Sequence, residues 1–207
     1  MSDEAINHII SVFELTLKEI LSRIIKISQC QAVSIRLQEK DDYPYHLYEG
    51  LPDFFVLKEN SLLAKDDKGD VIRDNDGSPI LECMCGNVIK GHFNPKFPFF
   101  SQNGSFWTNN TTQLLSSITE EQREFIGSTR NLCNFSGYES VALIPIITGE
   151  AILGLIHLTD PRENMFNIER IEELERAAVE SALIIQRAKE IMQKLNEIDK
   201  MILKSKI

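Results

Sequence analysis

The stretch that decides the fold is Tyr138–Ile147, which reads Tyr-Glu-Ser-Val-Ala-Leu-Ile-Pro-Ile-Ile, followed by Ala151–Thr159, which reads Ala-Ile-Leu-Gly-Leu-Ile-His-Leu-Thr. Each run has the length of a strand and is nearly continuous in apolar residues, which is typical of strands buried on both faces. The intervening Thr148-Gly149-Glu150 predicts a tight turn. We therefore expect an antiparallel hairpin at the centre of a sheet.

Further strands and short helices are predicted upstream of this hairpin. Gln31–Gln38 alternates small or polar residues with Val33, Ile35 and Leu37, which predicts a half-buried strand, and Tyr45–Glu49 predicts a second. The other predicted elements are helices at Asp53–Ala64, at Gly86–Phe93 and from the capping box at Thr119 to about Arg130, a surface loop at Lys65–Ser78 and a strand near Gly104–Thr108. The fold class predicted is α/β (α+β), with a central antiparallel sheet flanked by long N- and C-terminal helices.

Both ends of the chain carry a heptad seam, with apolar residues spaced alternately by three and four. Such seams indicate helices that pack lengthwise against another helix. The second helix, from about Asn167 to about Lys204, would exceed about 50 Å at ~1.5 Å per residue, which is longer than a domain of 207 residues needs for its own core. We therefore expect a homodimer through the terminal helices, the alternative being that the two helices pair within one chain. The seam residues are Ile6, Ile10, Phe13, Leu17, Ile20, Ile24 and Ile27, then Ile171, Leu174, Ala178, Ser181, Ile185, Ala188, Met192 and Leu195.

The order of these elements resembles the GAF domain over about residues 6–189. The most specific matches are Ser140-Val-Ala-Leu-Ile-Pro, the hairpin at Gly149, Gly154-Leu155 and the closing helix, and Cys85-Gly-Asn-Val-Ile-Lys-Gly91 is similar to the family's motif at its pocket helix. The resemblance implies a ligand-sensing module whose pocket lies on one face of an antiparallel sheet beneath helices and loops. It also implies dimerisation and signal transmission through the terminal helices. We accordingly divide the chain into an N-terminal dimerisation helix (residues 1–28), a sensory core (29–166) and a C-terminal signalling and dimerisation helix (167–207).

Two segments depart from the plain GAF pattern, namely the aromatic and Asn-rich span Pro95–Thr112 and the lead-in Arg130–Gly137. Such variants resemble the sensor portions of bacterial and archaeal histidine kinases. The resemblance implies a two-component system, with a kinase or other signalling output domain as partner. Because no phosphoacceptor region or ATP-binding glycine-rich block occurs in the sequence, we expect no kinase activity from this chain itself.

Three thiols flank the predicted pocket. In the GAF-like arrangement, Cys83 and Cys85 lie just before the pocket helix and Cys133 lies on the opposite wall, so all three could point into one cavity. With His92 as a fourth ligand, they would suit zinc or iron, the latter as a cluster or haem. The Cys-x-Cys spacing is too tight for ordinary zinc-finger geometry, and the alternative is that the thiols are small buried core residues. We expect Cys30 to be such a residue.

Other side chains could complete a ligand site. Trp107 and Phe100 could form an aromatic wall for a planar ligand, and Asn109 and Asn131 could supply hydrogen bonds. The alternatives are that the aromatic residues belong to the core and that the asparagines satisfy backbone groups. His157, in the central hairpin, could face either the pocket or the outer helices, and we expect a structural role for it.

Composition excludes several partners. The net charge of −9 and the absence of a basic stripe argue against nucleic acid and against anionic membranes. The acidic start Met1-Ser2-Asp3-Glu4 does not match a secretory signal, and no apolar run approaches the length of ~20 residues that spans a bilayer. We expect a cytoplasmic protein whose four cysteines are reduced.

These observations predict a redox- or ligand-sensing module rather than an enzyme. Its pocket would hold a small molecule, or a metal or redox cofactor bound by the thiols, and would pass its state to the terminal helices. One alternative is a thiol-dependent enzyme resembling the GAF-related branch that reduces free methionine sulfoxide. The other is a dimerisation element whose pocket is filled.

Overall fold

The computed structural model describes residues 3–149 and 151–205, with side chains described for residues 10–149, 151–191, 193, 194, 197 and 201. The predicted turn residue Glu150 lies outside the described residues, and the side chains of the predicted seam residues Ile6, Met192 and Leu195 lie outside the described side chains. The elements in chain order are α1 (Asp3–Ser28), β1 (Ala32–Leu37), β2 (Tyr45–Glu49), α2 (Asp53–Glu59), α3 (Cys83–Ile89), β3 (Phe106–Thr108), α4 (Thr111–Ser117), α5 (Glu120–Ile126), α6 (Leu132–Phe135), β4 (Ser140–Thr148), β5 (Ala151–Asp160) and α7 (Ile168–Ser205).

The five strands form one antiparallel sheet in the order β2-β1-β5-β4-β3. The predicted hairpin is confirmed, and its second strand, β5, lies at the centre of the sheet between β1 and β4. The predicted fold class is confirmed as well. The prediction that β1 is half-buried was wrong, because all six of its residues are buried. Helices cover both faces of the sheet, so the small and polar residues of β1 are buried on one face just as its apolar residues are on the other.

The sheet separates two apolar cores, because successive strand residues point to opposite faces. On one face, Ile35 of β1, Ile144 of β4 and Ile156 of β5 pack with residues of α1 and α7. On the other face, Val141, Leu143 and Leu155 pack with residues of α2 and α3 and with an aromatic cluster. The same two central strands therefore touch the terminal helices on one side and the α2–α6 layer on the other.

Most of the described heptad-seam residues of α1 and α7 are buried within the chain, whereas Ile10 is 40% exposed. Phe13, Leu17 and Ile24 of α1 are buried, as are Leu174 and Ile185 of α7, in a core shared with the sheet. Arg23 of α1 and Glu180 of α7 form an ion pair across the two helices. The intrachain pairing that the sequence left as the alternative is thus present. The homodimer stays a prediction, and these seam residues no longer argue for it.

Several element boundaries differ from those predicted. The capping box of α5 is present, with Gln122 N donating to Thr119 Oγ1 and Thr119 N donating to Gln122 Oε1. The helix ends at Ile126 instead of near Arg130, since Gly127 has a φ of 71° and leaves the helical conformation. Helix α3 begins at Cys83, so Cys83 and Cys85 lie in its first turn rather than before it. Within residues 3–149 and 151–205, no helix combines the length and apolar character that crossing a bilayer requires.

Asp160 joins the end of β5 to the start of β1. Its fully buried carboxylate accepts hydrogen bonds from Gln31 N and from the backbone and guanidinium of Arg162, at 2.8 Å. Burial raises the pKa of this carboxyl, but the hydrogen bonds from Arg162 and Gln31 outweigh it and the pKa is lowered.

We expect Asp160→Asn to lower the free energy of unfolding by about 2 kcal/mol at neutral pH, because hydrogen bonds to a charged acceptor are lost. A carboxyl with a depressed folded-state pKa stabilises above its unfolded pKa of ~3.9 and ceases to do so as the pH falls through the folded value. Urea unfolding at about pH 7 and about pH 3 should therefore show a smaller difference between variant and parent at the lower pH. An equal difference at both would contradict this role of the charge.

Candidate functional site

A pocket of about 120 Å³ lies between the sheet and the α3–α6 layer. It is mostly apolar and is close in size to the ~150 Å³ cavity that admits benzene in a protein core. Its apolar lining consists of Met84, Phe106, Leu114, Leu115, Ile118, Ile126, Leu132, Val141 and Leu143. Its polar lining includes the Thr111, Arg123, Thr129, Asn131 and Asn134 side chains and the thiols described next.

Cys83, Cys85 and Cys133 all line this pocket. The first two come from the start of α3 and the third comes from α6, which lies across the pocket. Cys83 and Cys133 are half-buried and Cys85 is buried, and none of the three forms a disulfide. The structure therefore brings together the three thiols that the sequence selected.

The three thiols differ in ionisation. The Cys85 thiol, by hydrogen bonding the Cys83 sulfur, lowers the pKa of Cys83 to about 7; burial opposes this, and the backbone N–H groups of Arg130 and Met84 assist it. The same hydrogen bond to Cys83, together with burial, raises the pKa of Cys85 well above its ordinary value. Burial raises the pKa of Cys133 strongly. Cys83 is thus the thiol that carries negative charge most readily near neutral pH.

A buried polar chain continues from Cys133 into the sheet. Cys133 Sγ lies 3.6 Å from Nε2 of His157, and Nδ1 of His157 lies 3.1 Å from the Tyr45 hydroxyl. Burial, together with the nearby charge of Arg36, lowers the pKa of His157 to about 3. A neutral imidazole has one donor and one acceptor nitrogen, so it bridges the thiol and the phenol without a net charge.

Arg130 links three segments of the chain next to Cys83. Its guanidinium contacts the carboxylates of Glu82 at 2.6 Å and Glu59 at 3.6 Å and donates to the Ser61 carbonyl at 2.9 Å. These contacts fix the residue whose backbone N–H is among the groups that lower the pKa of Cys83. Cys83 itself has a φ of 66°, a conformation that is uncommon for residues other than glycine.

Three predicted ligand-binding residues lie away from the pocket. Trp107 points to the opposite face of the sheet, where it packs against the α1 and α7 core, and its neighbour Phe106 lines the pocket instead. Phe100 is buried within the aromatic cluster. Asn109 holds the chain before α7, donating to and accepting from the backbone of Phe166 at 2.7 and 2.9 Å. Of the predicted polar contacts, only Asn131 lines the pocket, and its Oδ1 accepts from Thr129 Oγ1.

The predicted metal-ligand set of Cys83, Cys85, Cys133 and His92 is not assembled. The His92 ring packs against Phe125, with ring centroids 4.1 Å apart, and His92 is not among the residues lining the pocket. Among the described residues, no group of three or more His, Cys, Asp or Glu side chains is placed to hold a metal ion. The donor set therefore does not fit iron or zinc, and we derive no chemistry from either.

Sequence reasoning did not select Tyr45, Arg36 or His157 as members of the site. For Arg36 in β1 and His157 in β5, the available signal was a polar side chain inside an otherwise apolar strand, because such a side chain requires a buried partner. Arg36 is fully buried and His157 is nearly so.

No family model matches the sequence, and a search of curated proteins finds no match. Solved structures with the same fold were found. A GAF domain region from Geobacter sulfurreducens, in a protein described as a membrane protein, has a TM-score of 0.55 at 19% identity, covering 90% of this chain and 99% of that one. A domain described as part of a two-component sensor histidine kinase from Sinorhizobium meliloti 1021 has a TM-score of 0.53 at 14% identity, covering 89% and 95%. A GAF domain/HD domain protein from Geobacter sulfurreducens has a TM-score of 0.52 at 12% identity, covering 84% and 92%. The chain has the fold of a GAF domain.

Proposed function

We propose that this chain is a GAF-type sensing domain that binds a small, largely apolar molecule in the thiol-lined pocket and signals through α1 and α7. One observation carries the proposal: strand β4 lines the pocket on one face of the sheet and packs with the terminal helices on the other. Val141 and Leu143 line the pocket, while their neighbours Ala142 and Ile144 pack toward the terminal helices. A ligand that displaces the pocket-facing side chains of β4 would therefore also move the alternate side chains that face the terminal helices.

The lining supports a small neutral ligand. Burying a charge without a partner is costly, and apolar side chains dominate the pocket wall. By analogy with the cavity that admits benzene, the volume suits a molecule of about six to eight non-hydrogen atoms. The thiols give such a ligand a polar and reactive contact, which is the basis for including redox sensing in the proposal.

A second connection links the pocket to α7. Glu175 of α7 is nearly buried, and its carboxylate accepts hydrogen bonds from Ser101 Oγ and, at 2.6 Å, from Asn103 Nδ2. The turn that holds these residues leads directly into Phe106, which lines the pocket. Movement of Phe106 would therefore reach α7 through Glu175.

The remaining parts of the proposal concern partners. α7 exposes apolar side chains on the face turned away from the core, with 47 to 55% exposure for Val179, Leu183, Ile184 and Ile191. Such a stripe would suit the homodimer that the sequence predicted, and the similarity of fold to a sensor-kinase domain supports a kinase or other signalling output domain as partner. A cytoplasmic location without nucleic-acid or membrane partners completes the proposal and agrees with the net charge of −9.

The probe for the pocket is cyclohexanone, a neutral molecule of the size that the cavity accommodates. We expect its titration to shift the backbone amide resonances of α3, α6 and β4, and Val141→Phe to abolish these shifts because the added ring fills the space. The same substitution at the exposed Val179 is the matched control and should leave the shifts unchanged. Absence of any shift in the parent protein up to the solubility limit of the probe would contradict a receptive pocket.

The thiol-dependent reductase remains the second candidate, favoured by the assembly of three cysteines around one cavity. The apolar lining is a poor match for a zwitterionic amino acid such as free methionine sulfoxide, so we rank it below the sensor. The test is whether the protein consumes free methionine sulfoxide in the presence of a thiol reductant. If it does, and if Cys133→Ser abolishes this turnover, the reductase is the correct function and the sensor proposal is wrong.

A further inference from the structure

We propose that Cys83 is the nucleophile of this pocket and that it captures a small neutral α,β-unsaturated carbonyl compound as a covalent thioether. The proposal rests on the proposed function, since it assigns the ligand class and the reacting atom at the same pocket. Its evidence is the placement of Cys83 in the cavity and the restraints on its backbone. A further argument is that the two neighbouring thiols are buried or already hydrogen-bonded.

The geometry selects Cys83 among the three thiols. Cys85 is buried at 4% exposure, so its thiol is the least accessible to a ligand. Cys133 is engaged with His157 at 3.6 Å, in the buried chain that ends at Tyr45. Cys83 is half-buried and lines the cavity, and none of the hydrogen bonds found among the described side chains joins it to a residue outside the thiol cluster.

Arg130 acts as a positioning residue for Cys83. Its guanidinium joins Glu82, the residue before Cys83, to Glu59 of α2. These contacts fix the position of Arg130, whose backbone N–H is among the groups that lower the pKa of Cys83. Cys83 keeps a left-handed φ of 66°, a conformation that is unfavourable for a residue with a side chain and persists where surrounding contacts impose it.

The charge state agrees with this geometry. The titratable or charged groups around Cys83 are Cys85, Cys133, the carboxylate of Glu59, and Arg130 with its partner Glu82. The hydrogen bond from Cys85, with those from the backbone N–H groups of Arg130 and Met84, lowers the pKa of Cys83 to about 7 against the opposing effects of burial and of the Glu59 charge. The Cys133–His157 pair stays neutral, because burial raises the pKa of the thiol and lowers that of the imidazole.

The reaction needs no oxidant. The Cys83 thiolate attacks the β-carbon of the enone and forms a carbon–sulfur bond, while the electron pair of the carbon–carbon double bond moves to the α-carbon and carbonyl as an enolate. A proton from solvent then neutralises the α-carbon. The net change is addition of a thiol across the double bond, with nothing released. A neutral electrophile of this kind also suits the apolar wall that surrounds the sulfur.

The test is the reaction of cyclohex-2-enone with the reduced protein, followed by intact mass and peptide mapping across a range of pH. We expect one adduct, on Cys83, with a rate whose midpoint lies near pH 7. At that pH a thiol of pKa about 7 has about 50-fold more thiolate than one of pKa about 9, and its lower nucleophilicity reduces the gain to about fivefold. A steroid-sized enone with the same reactive group should not react. An adduct mainly on Cys133 or Cys85, or equal rates for both enones, would overturn the proposal, as would oxidation products in place of the adduct.

Two variants complete the test. Cys83→Ser should lose the adduct, while cyclohexanone, the saturated analogue, should still shift the pocket resonances. That pattern separates failure of the thiol chemistry from failure of the pocket itself. Arg130→Gln should move the midpoint of the rate upward in pH while the rate at high pH is retained. If the variant changes only thermal stability and not the midpoint, Arg130 does not position the nucleophile.

Discussion

Gly154→Ala is expected to lower the free energy of unfolding by about 3 kcal/mol or more. Gly154 lies in β5 opposite Leu37 of β1, where the two backbones pass so closely that a Cβ at position 154 would lie 2.1 Å from the Arg36 carbonyl oxygen. Backbone atoms on both sides of the contact cannot move without breaking the central pairing of the sheet. For a chain of this length, the loss corresponds to a fall in Tm of roughly 6–12 °C. Thermal and urea unfolding measure it directly.

The control for this prediction is Gly77→Ala. Gly77 has a φ of 80°, but a Cβ there meets open space. Its substitution therefore costs only the left-handed conformation, about 1–2 kcal/mol. A Gly154 variant no less stable than the Gly77 variant would show that β1 and β5 do not approach as closely as described.

Arg36→Met is expected to cost about 3 kcal/mol or more. Arg36 is fully buried, and its guanidinium donates to the carbonyls of Tyr43 at 2.8 Å, Asn60 at 3.1 Å and Glu59 while lying 3.6 Å above the Tyr45 ring. Methionine preserves much of the volume but leaves these carbonyls without a donor, and each buried unsatisfied group costs about 1–3 kcal/mol. Because Tyr45 also contacts His157, the thiol side of the pocket should lose order together with the sheet edge.

Arg73→Met is the matched control for Arg36→Met. Arg73 pairs with Asp41 at 2.6 Å, but both side chains are about half exposed. Exposed pairs of this kind contribute about 0–1 kcal/mol, so this variant should unfold almost as the parent does. Similar losses at the two arginines would mean that the buried carbonyls find other donors and that Arg36 does not anchor the site.

The sequence predicted most of the scaffold because its signals were local. Continuous apolar runs in β4 and β5, the capping box at Thr119 and the heptad seams each report on their own segment. Those signals could not show which surface each helix seam packs against. A seam looks the same whether it faces a second chain or the sheet and helix of its own chain, and the burial of Leu17 and Leu174 here is intrachain.

The candidate site was predicted in part for the same reason. The cysteines were chosen as rare residues, and the fold brings them to one cavity. The choice between Phe106 and Trp107 depends on strand parity, and a strand of three residues has too little alternation to reveal it. Asn109 was expected at a ligand but satisfies the Phe166 backbone, which is a long-range contact that no local pattern encodes.

The measurement that tests the account most directly is backbone hydrogen exchange with and without saturating cyclohexanone. If pocket and terminal helices share strands, the ligand should slow exchange in β4 and β5 and also change it in α7 across residues 168–185. Val141→Phe should show no change, and Glu175→Ala should retain the effect in the strands while weakening it in α7. Slowed exchange confined to α3–α6, with α1 and α7 unaffected at full occupancy, would contradict transmission through the sheet.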